Sequence, residues 1–222
     1  MKRVPQHEVL DSDTEAPEAV LESLGDLRMV NRWFGGVQTT AFLLRRAMRE
    51  SHLRCTSVLE VAAGDGYTIA QAADRLRHEN LNVEPVCLDR RELQKQAYCC
   101  KRAVIGNAMN LPFPPNSFDF VSCGLFMHHL APKEVIAFVN GALAVARHAV
   151  LINDLRRSSI HLALVYASTP IFRSPISRFD SVASVKQAYT PEELRELLQH
   201  TNAARFEIGL RFLFRMGAIV WK

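Results

Sequence analysis

Apolar and polar positions change period repeatedly along this chain, and the changes mark out alternating strands and helices. Thr56–Ala62 is an apolar run of strand length. Tyr67–His78 follows it with Ile69, Ala72, Ala73 and Leu76 at helical spacing. Asn82–Leu88 reads as a second strand ending at Asp89, and a helical pattern occupies Arg91–Lys101. Ala103–Ile105, Phe118–Cys123 and His148–Asn153 are three further strands, with a helix over Pro132–Val145 between the last two. Ahead of them, Glu18 to Met48 is helical and interrupted at Gly35-Gly36. That predicts two cover helices over residues 18–50, with Asn31-Arg32-Trp33-Phe34 at their junction.

Strands alternating with helices predict an α/β fold with a doubly wound, mostly parallel sheet covered on both faces. The C-terminal part differs. Thr190-Pro191-Glu192-Glu193 has the residues of a capping box and opens a helix. Arg205–Leu210 and Phe212–Trp221 follow with no room for a helix between them, so they predict an antiparallel hairpin completing a sheet of seven strands. Residues 154–189 form an insertion with a helix-like run, Ile160–Ala167, then a loop broken by Pro170 and Pro175 and bearing Phe172 and Phe179. Insertions of this length are often lids. A lid over a hydrophobic acceptor, extra packing and a homodimer contact all stay open. Residues 1–17 are polar and predict a mobile tail, which leaves 18–222 as one domain.

Composition narrows the classes. An apolar fraction of 48% with 23% charged residues is that of a soluble globular chain. The net charge of +4 is carried by scattered basic residues such as Arg45-Arg46, Arg90-Arg91 and Arg156-Arg157, so no nucleic-acid footprint is expected. No run is long enough for a membrane span, and Met1 to Pro17 lacks the apolar centre of a signal peptide. The five cysteines include no CxxC pair and are odd in number. They predict neither a disulfide framework nor a zinc site, and hence a reducing, cytoplasmic setting with no metal.

The densest chemical signal is Ser57-Val58-Leu59-Glu60-Val61-Ala62-Ala63-Gly64-Asp65-Gly66. Small residues after a strand let the backbone approach a ligand closely. No Lys and Ser or Thr follow the glycines, so this is not a P-loop. Glu60 and Asp65 favour an ammonium group or a ribose over an anion. Ligands of open α/β sheets sit beyond the carboxyl ends of the strands. That rule selects Glu60, the loop to Gly66, Asp89, Asn107-Ala108-Met109 and the stretch from Gly124 to Leu130.

In these stretches the chain resembles the class I methyltransferases that use S-adenosylmethionine (AdoMet). Glu60 to Gly66 is similar to their acid-and-glycine motif, with Ala62 where glycine is usual. Leu111-Pro112-Phe113 running into Ser117-Phe118-Asp119 is a second, separate similarity, and the likeness covers about residues 55–155. The resemblance implies AdoMet as cofactor. It implies a cofactor site built from Glu60, Ala62, Ala63, Gly64 and Gly66, with Asp89 on the ribose hydroxyls or, alternatively, capping the helix after it. Asn107, in place of the usual aspartate, would meet the adenine edge with Ala108 and Met109, and Gly124 would lie beside the methyl donor. Arg32 is either a fork donor to the cofactor carboxylate or a surface residue.

His128-His129-Leu130 resembles the small-molecule branch of the family. Either histidine is a candidate catalytic base for a hydroxyl, and the alternative is a structural role in holding the loop. The function implied is methyl transfer to a small, largely apolar acceptor, a hydroxyl in secondary or quinone-like metabolism. An RNA or protein methyltransferase is disfavoured because Ser122-Cys123-Gly124-Leu125 stands where amine methyltransferases carry Asn-Pro-Pro-aromatic. A non-catalytic AdoMet-binding module stays open. A NAD-dependent oxidoreductase would need a GxGxxG fingerprint that the loop lacks.

Overall fold

Seven strands form one sheet in the order β3-β2-β1-β4-β5-β7-β6 in the computed structural model, which describes residues 1–12, 15–92 and 99–222. The strands are β1 (Cys55–Val61), β2 (Asn82–Asp89), β3 (Ala103–Ile105), β4 (Phe118–Gly124), β5 (Ala146–Leu155), β6 (Arg205–Arg211) and β7 (Arg215–Trp221). The pairs from β3 to β5 are parallel, and β7 lies antiparallel between β5 and β6. The expected doubly wound sheet with a terminal antiparallel hairpin is therefore the observed one.

Helices cover both faces: α1 (Pro17–Trp33), α2 (Gly36–Glu50), α3 (Tyr67–Arg77), α4 (Pro132–Val145), α5 (Ser159–Ser168), α6 (Pro175–Gln187) and α7 (Pro191–Leu198). Alternate residues of each central strand feed opposite cores. Val58, Phe120, Leu151 and Ile219 pack towards α2 and α3, while Leu59, Val121, Ile152 and Val220 pack towards α4 and α7. Burial on both faces is why these strands read as continuous apolar runs instead of alternating ones. The capping box at Thr190 and Glu193 is formed as expected, with Glu193 N–H donating to Thr190 Oγ1 at 3.2 Å.

Two expectations meet a different outcome, while a third, the helix over Arg91–Lys101, falls largely on residues 93–98, outside the described residues. Pro175 does not break a loop; it occupies the first turn of α6, where its missing N–H costs nothing. Residues 1–12 are docked, which corrects the mobile tail expected over 1–17. Arg3 donates to the carbonyls of Gln187 (2.6 Å), His128 (2.9 Å) and Leu130 (3.0 Å). The N–H groups of Val9 and Leu10 donate to Asp180 at 2.8 and 2.9 Å. A polar segment is held here because its donors find carbonyls and a carboxylate on this face as acceptors.

Gly66 begins α3 with φ at +75°, and a Cβ there would stand 2.8 Å from Cys87 Sγ and 3.0 Å from Cys100 Sγ. Its smallness thus serves helix-to-sheet packing. Gly66→Ala is expected to cost about 1–3 kcal/mol through steric overlap and a strained φ. Urea denaturation checks this; an unchanged midpoint would mean that α3 shifts freely.

Candidate active site

A cavity of about 1050 Å³ opens above the carboxyl ends of the strands, beside the point between β1 and β4 where strand order reverses. Its volume is at the upper end of small-ligand sites, which run to about 1,000 Å³. Glu60, Ala62, Ala63, Gly64, Asp89, Asn107, Ala108, Met109, Gly124, His128 and His129 all border it. The strand-end rule thus brings eleven of the thirteen expected residues to one space. Gly66 and Arg32 are not among them. Arg32 is exposed and lies over the Trp33 ring, 5.3 Å from its centroid, so the expected contact with a cofactor carboxylate is not made from there. Arg28, one turn earlier on α1, borders the cavity instead and pairs with Asp65.

Glu60 sits at the end of β1, 3% exposed, and its Oε2 has no hydrogen-bond partner among the described residues. Burial pushes its carboxyl up to about 7, with the Ser122 hydroxyl opposing. A buried carboxylate lacking a partner is costly, and a ligand cation removes that cost. Asp89 is pinned from both sides: Oδ2 accepts from Gly64 N–H at 2.7 Å and Oδ1 from Arg91 N–H at 3.0 Å. It ties the β1 and β2 loops together and presents a fixed carboxylate to the cavity. Ala62 adopts φ of +54°, the left-handed conformation that explains why glycine is usual at this place. Asn107 uses its Oδ1 on the N–H of Met109 at 2.9 Å, which closes the turn. The expected contact of that oxygen with an adenine amine therefore has to share an acceptor already in use.

Both histidines pair with carboxylates. His128 is 2% exposed; its Nδ1 lies 2.6 Å from Asp154 Oδ1 and its Nε2 3.4 Å from Glu8 Oε1. Burial alone would push His128 down, but Asp154 and Glu8 together hold it up at about 10. Flanked in this way, both ring nitrogens of His128 face carboxylates. His129 stacks on it, ring centroids 4.2 Å apart, with Nδ1 on Asp11 at 2.8 Å.

Charged residues that border the cavity but went unselected in the sequence include, besides Arg28, Glu8, Asp11, Asp26, Asp180 and Arg215; Asp154 stands behind them, against His128. Asp154 stands at the end of β5 as Glu60 and Asp89 do on their strands, so the strand-end rule reaches it as well. Glu8 and Asp11 carry no such signal. Arg215, 1% exposed at the start of β7, donates to Asn31 Oδ1 at 3.0 Å, while its Nη1 has no partner among the described residues. Burial pulls its guanidinium down to about 10. The insertion supplies another wall through Leu164 and Phe172.

Residues 58–149 match the methyltransferase domain family. No curated protein matches the chain by sequence. Among solved structures, a SAM-dependent methyltransferase from Aquifex aeolicus superposes with a TM-score of 0.59 at 15% identity, over 94% of this chain and 99% of that one. The plantazolicin methyltransferase BpumL, in complex with a pentazolic desmethyl analogue and SAH, gives 0.65 at 12% identity over 92% and 96%. An O-methyltransferase family 2 protein from Planctomyces limnophilus, in complex with apigenin, gives 0.64 at 16% identity over 95% and 63%. No helix among the described residues is long and apolar enough to cross a membrane. Over residues 58–149 the chain is similar to the methyltransferase domain family, and its fold is the one these methyltransferase structures share.

Proposed function

We propose that this protein methylates a hydroxyl of a small, largely apolar acceptor and takes no nucleic acid. The observation that carries the reading is the cavity itself, where a carboxylate-rich strand-end region meets an apolar wall from Leu24, Leu164 and Phe172. The residues fit AdoMet. Glu60, buried with an orphaned oxygen, suits the ammonium group; Asp89 suits the ribose hydroxyls; Ala62 and Gly64 keep the turn narrow. When bound, the sulfonium supplies an activated methyl group. The protein's part is to align the acceptor and exclude water, with α5 and α6 of the insertion acting as the lid on the acceptor side.

Support for a small acceptor comes from relatives of the same fold whose complexes hold apigenin or an azole analogue. Calorimetric titration with AdoMet and its demethylated product is expected to show micromolar affinity for both. A screen of phenols and other small hydroxyl compounds with labelled AdoMet is then expected to give turnover. AdoMet binding without turnover of any small acceptor would favour the non-catalytic module.

A further inference from the structure

Three ligand-type groups converge on one point of the cavity wall: His128, His129 and Glu8 each bring a ligand atom within 4.8 Å of the other two. His128 Nε2 is 3.4 Å from Glu8 Oε1, and His129 Nε2 is 3.8 Å from Oε2. Charge-assisted hydrogen bonds are shorter, about 2.7–2.9 Å. Two donors held about 2.1 Å from a shared tetrahedral ion, however, stand roughly 3.4 Å apart.

The far side of each ring is pinned as well. His128 Nδ1 donates to Asp154 at 2.6 Å, and His129 Nδ1 to Asp11 at 2.8 Å. A carboxylate behind each imidazole fixes ring orientation and tautomer, as it does behind metal-bound histidines. Here it turns both Nε2 atoms towards Glu8. Glu8 is steadied in turn, since its Oε1 accepts from Ser184 Oγ at 2.6 Å and Gln187 Nε2 at 2.7 Å, which leaves Oε2 for a cation.

We propose that Glu8, His128 and His129 bind a divalent transition ion of the zinc or iron(II) class. Two nitrogens and one oxygen select against magnesium and calcium, which prefer oxygen ligands throughout. Three carboxylates, Glu8, Asp11 and Asp154, surround two imidazoles, and a divalent ion balances that excess. Arg3 donates to the carbonyls of His128 and Leu130, Arg90 to that of Asp11, and Arg91 to those of Leu10 and Ser12. The ion takes the place of the proton between His128 and Glu8. Three protein ligands leave at least one coordination position open, and all three residues border the cavity. Resting on the methyltransferase reading above, that position takes the acceptor's hydroxyl oxygen and lowers its pKa, so that its proton is released to water before the methyl group is accepted.

The test is a Co²⁺ titration of chelator-treated, full-length protein. Visible d–d absorption saturating at one equivalent is expected, and Glu8→Gln and His129→Gln are each expected to weaken binding at least tenfold, with circular dichroism confirming their fold. No visible bands in the unaltered protein would overturn the site, as would variants that bind cobalt as tightly as the unaltered protein. Cobalt binding needs no cofactor, so a failure here is separable from a failure of AdoMet binding.

Discussion

Glu60→Gln is expected to make the ligand-free protein more stable at neutral pH, by about 3 kcal/mol, while weakening AdoMet binding at least tenfold. The carboxyl titrates at about 7 in the folded chain against an ordinary 4.5. Between those values the unfolded chain has released a proton that the folded one still holds. Stability therefore falls as pH rises from 4.5 to 7 and levels off above, with each pH unit worth about 1.4 kcal/mol. Glutamine has no proton to lose, so it removes this slope. It also removes the negative charge that suits an ammonium group. Thermal unfolding at pH 5 and pH 8, with and without AdoMet, checks both halves. An unaltered pH slope in the variant would show that Glu60 is solvated, and unaltered AdoMet affinity would remove it from the cofactor site.

Asp89→Ala is expected to lower AdoMet affinity about 100-fold, close to 3 kcal/mol at 1.4 kcal/mol per tenfold. Two losses combine. The carboxylate that suits the ribose hydroxyls disappears, and the Gly64 and Arg91 N–H groups it holds lose their acceptor. Asp89→Asn separates them, because its one amide oxygen keeps one of those two bonds and removes the charge. Calorimetry should rank the affinities as native, then Asn, then Ala. Equal affinity across the three would leave Asp89 as a loop tie alone.

Much of the fold was legible because the central strands are buried on both faces and so appear as unbroken apolar runs ended by an acid. Glu60 and Asp89 could be selected for the same reason, since position at a strand's end is a local property. Asp154 obeys the same rule, at the point where the insertion over residues 154–189 begins. Glu8 and Asp11 were illegible. Their role depends on a polar segment folding back over a loop more than a hundred residues away, anchored by Arg3 and by backbone bonds to Asp180. No periodicity records such a contact. His128 was found but its state was not, because protonation depends on Glu8 and Asp154 closing on both ring nitrogens. Arg32 and Arg28 lie one helical turn apart, and only the tilt of α1 against the cavity decides which of them faces it.

The place of β7 has a consequence for how the chain matures. It follows β6 in sequence yet lies inside the sheet, between β5 and β6, and all of its residues are buried. While β7 is still within the ribosome, β5 has an open hydrogen-bonding edge and β6 has no partner to dock against. The half of the sheet beyond β4 must therefore wait for the segment up to Trp221 before it can close. During that interval the nascent domain shows an apolar edge of the kind that holding chaperones recognise.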